Sequence, residues 1–141
     1  MFRENFPNAT LETLVEKSDA TFDYNCIAWT LGDSTIWWST LPGYFWPPRT
    51  PRPMTVVQNV VEMYKRNGFS ECQSLELEPG IEKIAIYSSS GRFKHAARQL
   101  ESGKWTSKLA EHEDVEHDTA ETLLGGEFES IARIMKRPRP S

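Results

Sequence analysis

Apolar positions Leu11, Leu14 and Val15 recur at i, i+3, i+4 spacing, which predicts a helix from Asn8 to Ser18 with Asn8 as its cap. A break at Ser18-Asp19 precedes the stretch Asp23-Tyr24-Asn25-Cys26-Ile27-Ala28-Trp29-Thr30-Leu31-Gly32. Asn25 or Asp23 can cap a short helix there and Gly32 can end it, which puts Cys26 in the first turn. The clearest helical pattern runs from Val56 to Asn67. Thr55 is its expected cap, Val57, Val60, Val61 and Tyr64 are its apolar stripe, and Lys65, Arg66 and Gly68 mark its end.

Beyond that helix the period changes from helical to alternating. Phe69 to Cys72 reads as a short strand and Pro79-Gly80 as a turn. Glu82 to Tyr87, Lys94 to Leu100 and Lys104 to Leu109 read as three strands, joined by turns at Ser88 to Arg92 and at Glu101-Ser102-Gly103. That is an antiparallel meander. Asp118 to Leu124 predicts one more short helix, closed by Gly125-Gly126, and Ser130 to Met135 alternates like a last strand. The fold class expected is α+β, in a single domain over residues 1–141.

Residues 33–54 break both periods. Trp37, Trp38, Tyr44, Phe45 and Trp46 are interleaved with Pro42, Pro47, Pro48, Pro51 and Pro53, a density of proline that excludes a regular helix or a central strand. The aromatics require burial, so the segment is expected to be an ordered loop folded over the body. It either pads the core or walls a substrate groove.

Composition narrows the function classes. Hydrophobic residues make up 38% of the 141 and aromatics 11%, enough for a real core. The net charge of -4 disfavours a general nucleic-acid binder, which needs a basic surface. The cationic Lys136, Arg137 and Arg139 fall in a Pro-rich tail, residues 136–141, expected to be solvated. No stretch approaches the roughly 20 apolar residues of a membrane span. The first residues lack the apolar region of a signal peptide, and two cysteines make no disulfide framework. The expectation is a cytoplasmic protein, with export lacking a cleaved signal left open.

Cys26 is the first chemical candidate. At a helix N-terminus the backbone dipole and free N–H groups favour a thiolate and can bind an oxyanion. A cysteine among Ile27, Ala28 and Trp29 can equally be core. His95 opens a strand beside a turn, where imidazole can accept the thiol proton. Ser107 falls on the next strand, within reach of a ring-orienting role, and Asp114 or Glu116 are alternative orienters. Lys108 suits substrate contact better than ring support. His112-Glu113-Asp114-Val115-Glu116-His117 has ligand-type residues but i, i+5 histidines, which share no helical face, so a solvated acidic loop is expected there rather than a metal site. Cys72 is expected to be structural.

The order Asn25-Cys26-Ile27-Ala28-Trp29, then the apolar strand Glu82 to Tyr87, then His95-Ala96-Ala97 and a polar position one strand on resembles the papain-like superfamily, in particular its NlpC-type peptidases and amidases. The likeness covers residues 20–110. The chain also looks like a group of uncharacterised bacterial domains that carry the Tyr24-to-Trp29 and His95-to-Gln99 stretches. The resemblance implies a Cys-bearing helix packed on the meander, with Cys26 as nucleophile, His95 as base and Ser107 as third member. It departs from that branch at Asn25, where Asp is common, and at Ser107, where His, Asn or Gln is usual. It implies a hydrolase cleaving a peptide or protein amide through a thioester, without cofactor or metal, with Asn25, Trp29, Trp46 and Lys108 as substrate contacts. The rival expectations are an inactive papain-like module binding through the aromatic loop 37–46, and a toxin or effector form of the same hydrolase. Neither the substrate nor the oligomeric state is legible in the sequence.

Overall fold

The computed structural model describes residues 6–7, 14–16, 25–32, 36–108 and 114–139. Seven strands form one antiparallel sheet: β1 (Leu14–Glu16), β2 (Ser70–Cys72), β3 (Ile81–Ser89), β4 (Arg92–Gln99), β5 (Trp105–Lys108), β6 (Asp114–His117) and β7 (Ser130–Pro138). Two helices, α1 (Cys26–Thr30) and α2 (Val57–Arg66), and a 3-10 turn at Ala120–Leu123 complete the described elements. The fold is α+β. Strands β3 to β5 follow one another as the expected meander, β6 extends it by one strand, and β7 returns to lie between β3 and β2, giving the order β1-β6-β5-β4-β3-β7-β2.

Strand parity divides the interior in two. Along β3, Ile84 and Ile86 point into a core with Cys26, Ile27, Val60, Val61, Met63, Tyr64 and Met135, so α1 and α2 cover that face. The intervening Ala85 and Tyr87 join Phe6, Ala97, Trp105, Val115, Leu123 and Phe128 on the other face. The β3–β4 connection is a two-residue turn in which Ser90 (φ 52°) and Gly91 (φ 76°) both take positive φ, the geometry that matches strand twist in a tight hairpin. Two pairs beyond the turn the pairing slips: Tyr87 opposes His95 but Ser88 opposes Phe93, leaving Lys94 as a bulge.

Four expectations are corrected. Leu14 and Val15 are in a strand, not a helix, because Leu14–Glu16 pairs with Val115–His117, and three apolar positions are a weak helical signal against sheet pairing. The rest of that predicted helix, with Asn8 and Leu11, lies outside the described residues, as does Asp23. Thr55 does not cap α2: its carbonyl accepts from the Phe93 N–H at 2.9 Å, and the helix starts after Val56, which offers no side-chain cap. Asp114 to His117 is a strand held between β5 and β1, not a solvated loop, since Val115 is core and both strand edges are paired. The cationic tail belongs to the sheet through Pro138. Arg137 pairs with Glu82 at 3.1 Å and lies over the Phe69 ring, while Arg139 donates to the Ile81 carbonyl at 3.0 Å. Among the described residues no helix is long and apolar enough to cross a membrane.

Ile86 is fully buried under the helices. Ile86→Ala is expected to lower unfolding free energy by about 2–5 kcal/mol, read as a lower urea midpoint at unchanged slope.

Candidate functional site

Asn25 organises the region around Cys26. Its Oδ1 accepts from the Ala28 N–H at 3.2 Å, capping α1, and from the Trp38 N–H at 3.1 Å. Its Nδ2 donates to the Trp38 carbonyl at 2.6 Å. One buried carboxamide thereby starts the helix and fastens the aromatic loop to it. Asn25 serves the fold in this position and is spent on it, in place of the substrate contact expected of it.

Cys26 is the first residue of α1 and is 9% exposed, packed in the helix-side core. Burial pushes its thiol up to about 11. The backbone N–H groups of Ala96, Ile27 and Cys26 itself, and the charge of Lys108, act in the opposite direction and lose. Backbone N–H groups of β4 and of the helix start favour the thiolate, but desolvation is the larger effect and the sulfur is protonated at neutral pH.

His95 is on the other face. Its ring stacks on Phe128 at 4.9 Å and 4° and lies 5.4 Å from the Tyr87 ring, both members of the opposite core. It is 2% exposed, and its Nε2 has no hydrogen-bond partner. Burial, with a smaller push from His117, lowers its pKa to about 3. The structure therefore does not bring Cys26 and His95 together. The bulge at Lys94 is the physical reason: simple alternation would put His95 on the same face as Phe93, which packs with Cys26, whereas the extra residue turns the ring away.

Ser107 does meet a histidine, but it is His117. Ser107 Oγ is 2.8 Å from His117 Nε2, and His117 Nδ1 is 2.8 Å from the Thr119 carbonyl. A carbonyl only accepts, so Nδ1 carries the proton and Nε2 accepts from the serine hydroxyl. The pair is sealed in the core, and burial lowers the His117 pKa to about 4 against the Thr119 bond and the Asp118 charge. Sequence reasoning missed this because His117 was expected in a loop. The alternation of Val115 and His117 ten residues beyond a strand was the available signal.

Asp114 and Glu116 do not orient His95. They alternate with Val115 and so take the helix side, Asp114 in register with Lys108 and Glu116 with Thr106. Of the remaining expected substrate contacts, Lys108 is fully buried beside the same face. Trp46 is core, its Nε1 donating to the Pro51 carbonyl at 3.1 Å. Trp29 is half-buried; its Nε1 donates to Thr106 Oγ1 at 3.0 Å and Arg98 lies over its ring. His112 lies outside the described residues.

Of the six exposed large apolar side chains among the described residues, Ile36, Leu41, Tyr44 and Phe45 are on the aromatic loop, the others being Val56 and Leu77. Ser39 N–H donates to the Phe45 carbonyl, Phe45 N–H to the Trp37 carbonyl and Tyr44 N–H to the Leu41 carbonyl. Trp38 packs edge-on against Phe45 and Trp37 against Tyr44. This closed loop presents Ile36, Leu41, Tyr44 and Phe45 at 41%, 62%, 49% and 43% exposure.

Residues 15–136 match the family model described as "Domain of unknown function (DUF7689)". The chain belongs to that family. No curated protein and no solved structure matches it.

The two buried histidines make a signed prediction about pH. Both folded-state pKa values, about 3 and about 4, lie below the 6.5 of a free imidazole, so unfolding takes up protons as the pH falls. Their stabilising effect is complete above pH 6.5 and is lost below it, on the order of 4 kcal/mol for the pair between about pH 7.5 and 5. Urea midpoints at the two pH values should show the fall, and His95→Phe, which keeps a ring on Phe128, should remove roughly half of it.

Proposed function

We propose that this domain is a non-catalytic binding module that recognises a protein partner through the aromatic loop, with Cys26 serving the core. One observation carries this reading: the loop is tied down by Asn25 and by its own backbone bonds, yet leaves Ile36, Leu41, Tyr44 and Phe45 outside. Apolar side chains held rigidly in water mark interaction sites, and aromatic anchors lose little entropy on binding.

A second reading is a papain-like, NlpC-type cysteine hydrolase acting on a peptide or protein amide, as a housekeeping enzyme or as a toxin. It draws support from Cys26 opening a helix packed on an antiparallel sheet, with three backbone N–H groups and the Lys108 charge favouring the thiolate. Nucleophilic attack through a thioester also needs a base within hydrogen-bond reach of the sulfur. The stacking of His95 on Phe128 and the protonated thiol weigh against it, so binding stands first.

Iodoacetamide labelling of the folded chain separates the two. Cys72 is half-exposed and Cys26 buried, so Cys72 is expected to react at least about tenfold faster near neutral pH. Faster labelling of Cys26 would restore the hydrolase. Panning a random peptide library against the immobilised domain tests the loop. Selected peptides should bind the wild type and Cys26→Ala alike and bind Tyr44→Ala/Phe45→Ala at least about tenfold more weakly. Binding that follows Cys26 and ignores the loop would sink the module.

A further inference from the structure

We infer that the segment recognised by the aromatic loop is an acidic, apolar stretch of polypeptide, in which carboxylates flank the side chains that cover Leu41, Tyr44 and Phe45. This deepens the binding reading and rests on it. The charge distribution leads there. The chain carries 20 acidic and 16 basic residues, yet from Ser34 to Val61 it holds no acid, and its charges in that stretch are Arg49 and Arg52. Arg52 donates to the Thr40 carbonyl at 3.2 Å, which fixes its guanidinium beside the exposed Leu41. Met54 N–H bonds the Thr40 hydroxyl at 3.0 Å, so the two limbs of the loop are joined there. Beyond the loop, Arg92 forms an isolated bridge with Val56, itself 46% exposed. Arg49, Arg52 and Arg92 are all exposed, and among the described residues no carboxylate pairs with them.

An apolar patch fringed by cations that no carboxylate among the described residues neutralises is complementary to a partner with acids around an apolar anchor. Rim charges of this kind select the partner and raise the rate of encounter more than they tighten the complex. Single-stranded nucleic acid also combines stacking faces with negative charge. It would require a basic groove tracking a backbone, and this chain has a net charge of -4 with two arginines, Arg49 and Arg52, in the loop's stretch.

The test uses the full chain and peptides of about a dozen random residues, selected by panning and then measured by fluorescence polarisation. Selected peptides should be enriched in Asp and Glu beside Leu, Phe or Trp. Their Kd should rise about 5- to 10-fold in Arg52→Glu and about threefold between about 50 and 300 mM salt. An oligothymidylate of about 20 nucleotides should not bind at physiological salt. Peptides that depend on Tyr44 and Phe45 but show no acidic bias, and no response to Arg52→Glu or to salt, would overturn the acidic partner and leave the loop as the docking site. Peptides indifferent to Tyr44→Ala/Phe45→Ala would overturn the docking reading itself. Oligothymidylate binding lost in Arg52→Glu would assign the surface to nucleic acid. Circular dichroism of each variant guards against misfolding, and Arg52→Lys, which keeps the charge, should retain most of the affinity.

Discussion

The carboxamide of Asn25 is the interaction on which the rest of this region depends. Buried amides must be paired, and this one is paired three ways: to the Ala28 N–H, to the Trp38 N–H and to the Trp38 carbonyl. Without it the first turn of a five-residue helix would lose its cap, and the loop would lose a fixed point on the body. Helices this short have little stability of their own, so α1 is held by that cap and by its packing on β4 and β5. The same bonds make the aromatic loop a preformed surface, which on the proposed binding reading lowers the entropy lost on binding.

A second constraint is the treatment of polar residues inside the sheet. Lys83 is fully buried and is held by the Glu78 carboxylate at 2.7 Å and the Ser74 carbonyl at 2.7 Å. Ser107 and His117 satisfy each other, with Thr119 fixing the tautomer. Tyr87 donates to the Ala120 carbonyl at 2.7 Å and Tyr64 shares a hydrogen bond with Thr30 at 2.6 Å. These pairs allow polar side chains in a core whose apolar stripe alone would be thin. They also tie β5, β6 and the 3-10 turn to one another by directional contacts, where hydrophobic packing would tolerate slippage.

How much was legible follows from which signals are local. Helix α2, the helix opening at Cys26, the meander and the tight turn at Ser90-Gly91 all depend on short-range period, caps and turn residues, and they are present in the structure. Strand β1 depends on pairing with a distant segment, and in both β1 and β6 three or four residues hold too little pattern to reveal a strand. Arg137 and Arg139 resembled a solvated tail because their partners, Glu82, the Phe69 ring and the Ile81 carbonyl, are far away in sequence. In the candidate site the residue types were found but not their companions. Ser107 was expected beside His95 and lies instead against His117.

The fate of Cys26 and His95 shows why residue type and order cannot stand in for a face. Phe93 and His95 are two apart in β4, and regular alternation gives them one side of the sheet. A single bulged residue, Lys94, reverses that relation: Phe93 and Ala96 share a core with Cys26, while His95 stacks with Phe128 beyond the sheet. Each group then has an environment that suits packing. The sulfur is desolvated and protonated, and the imidazole is neutral against an aromatic ring. With both held inside, the proposed binding function falls to the outward side of the aromatic loop. Tyr44 and Phe45 are backed by Trp37 and Trp38, yet with Leu41 they keep large apolar faces in water that only a further covering surface would bury.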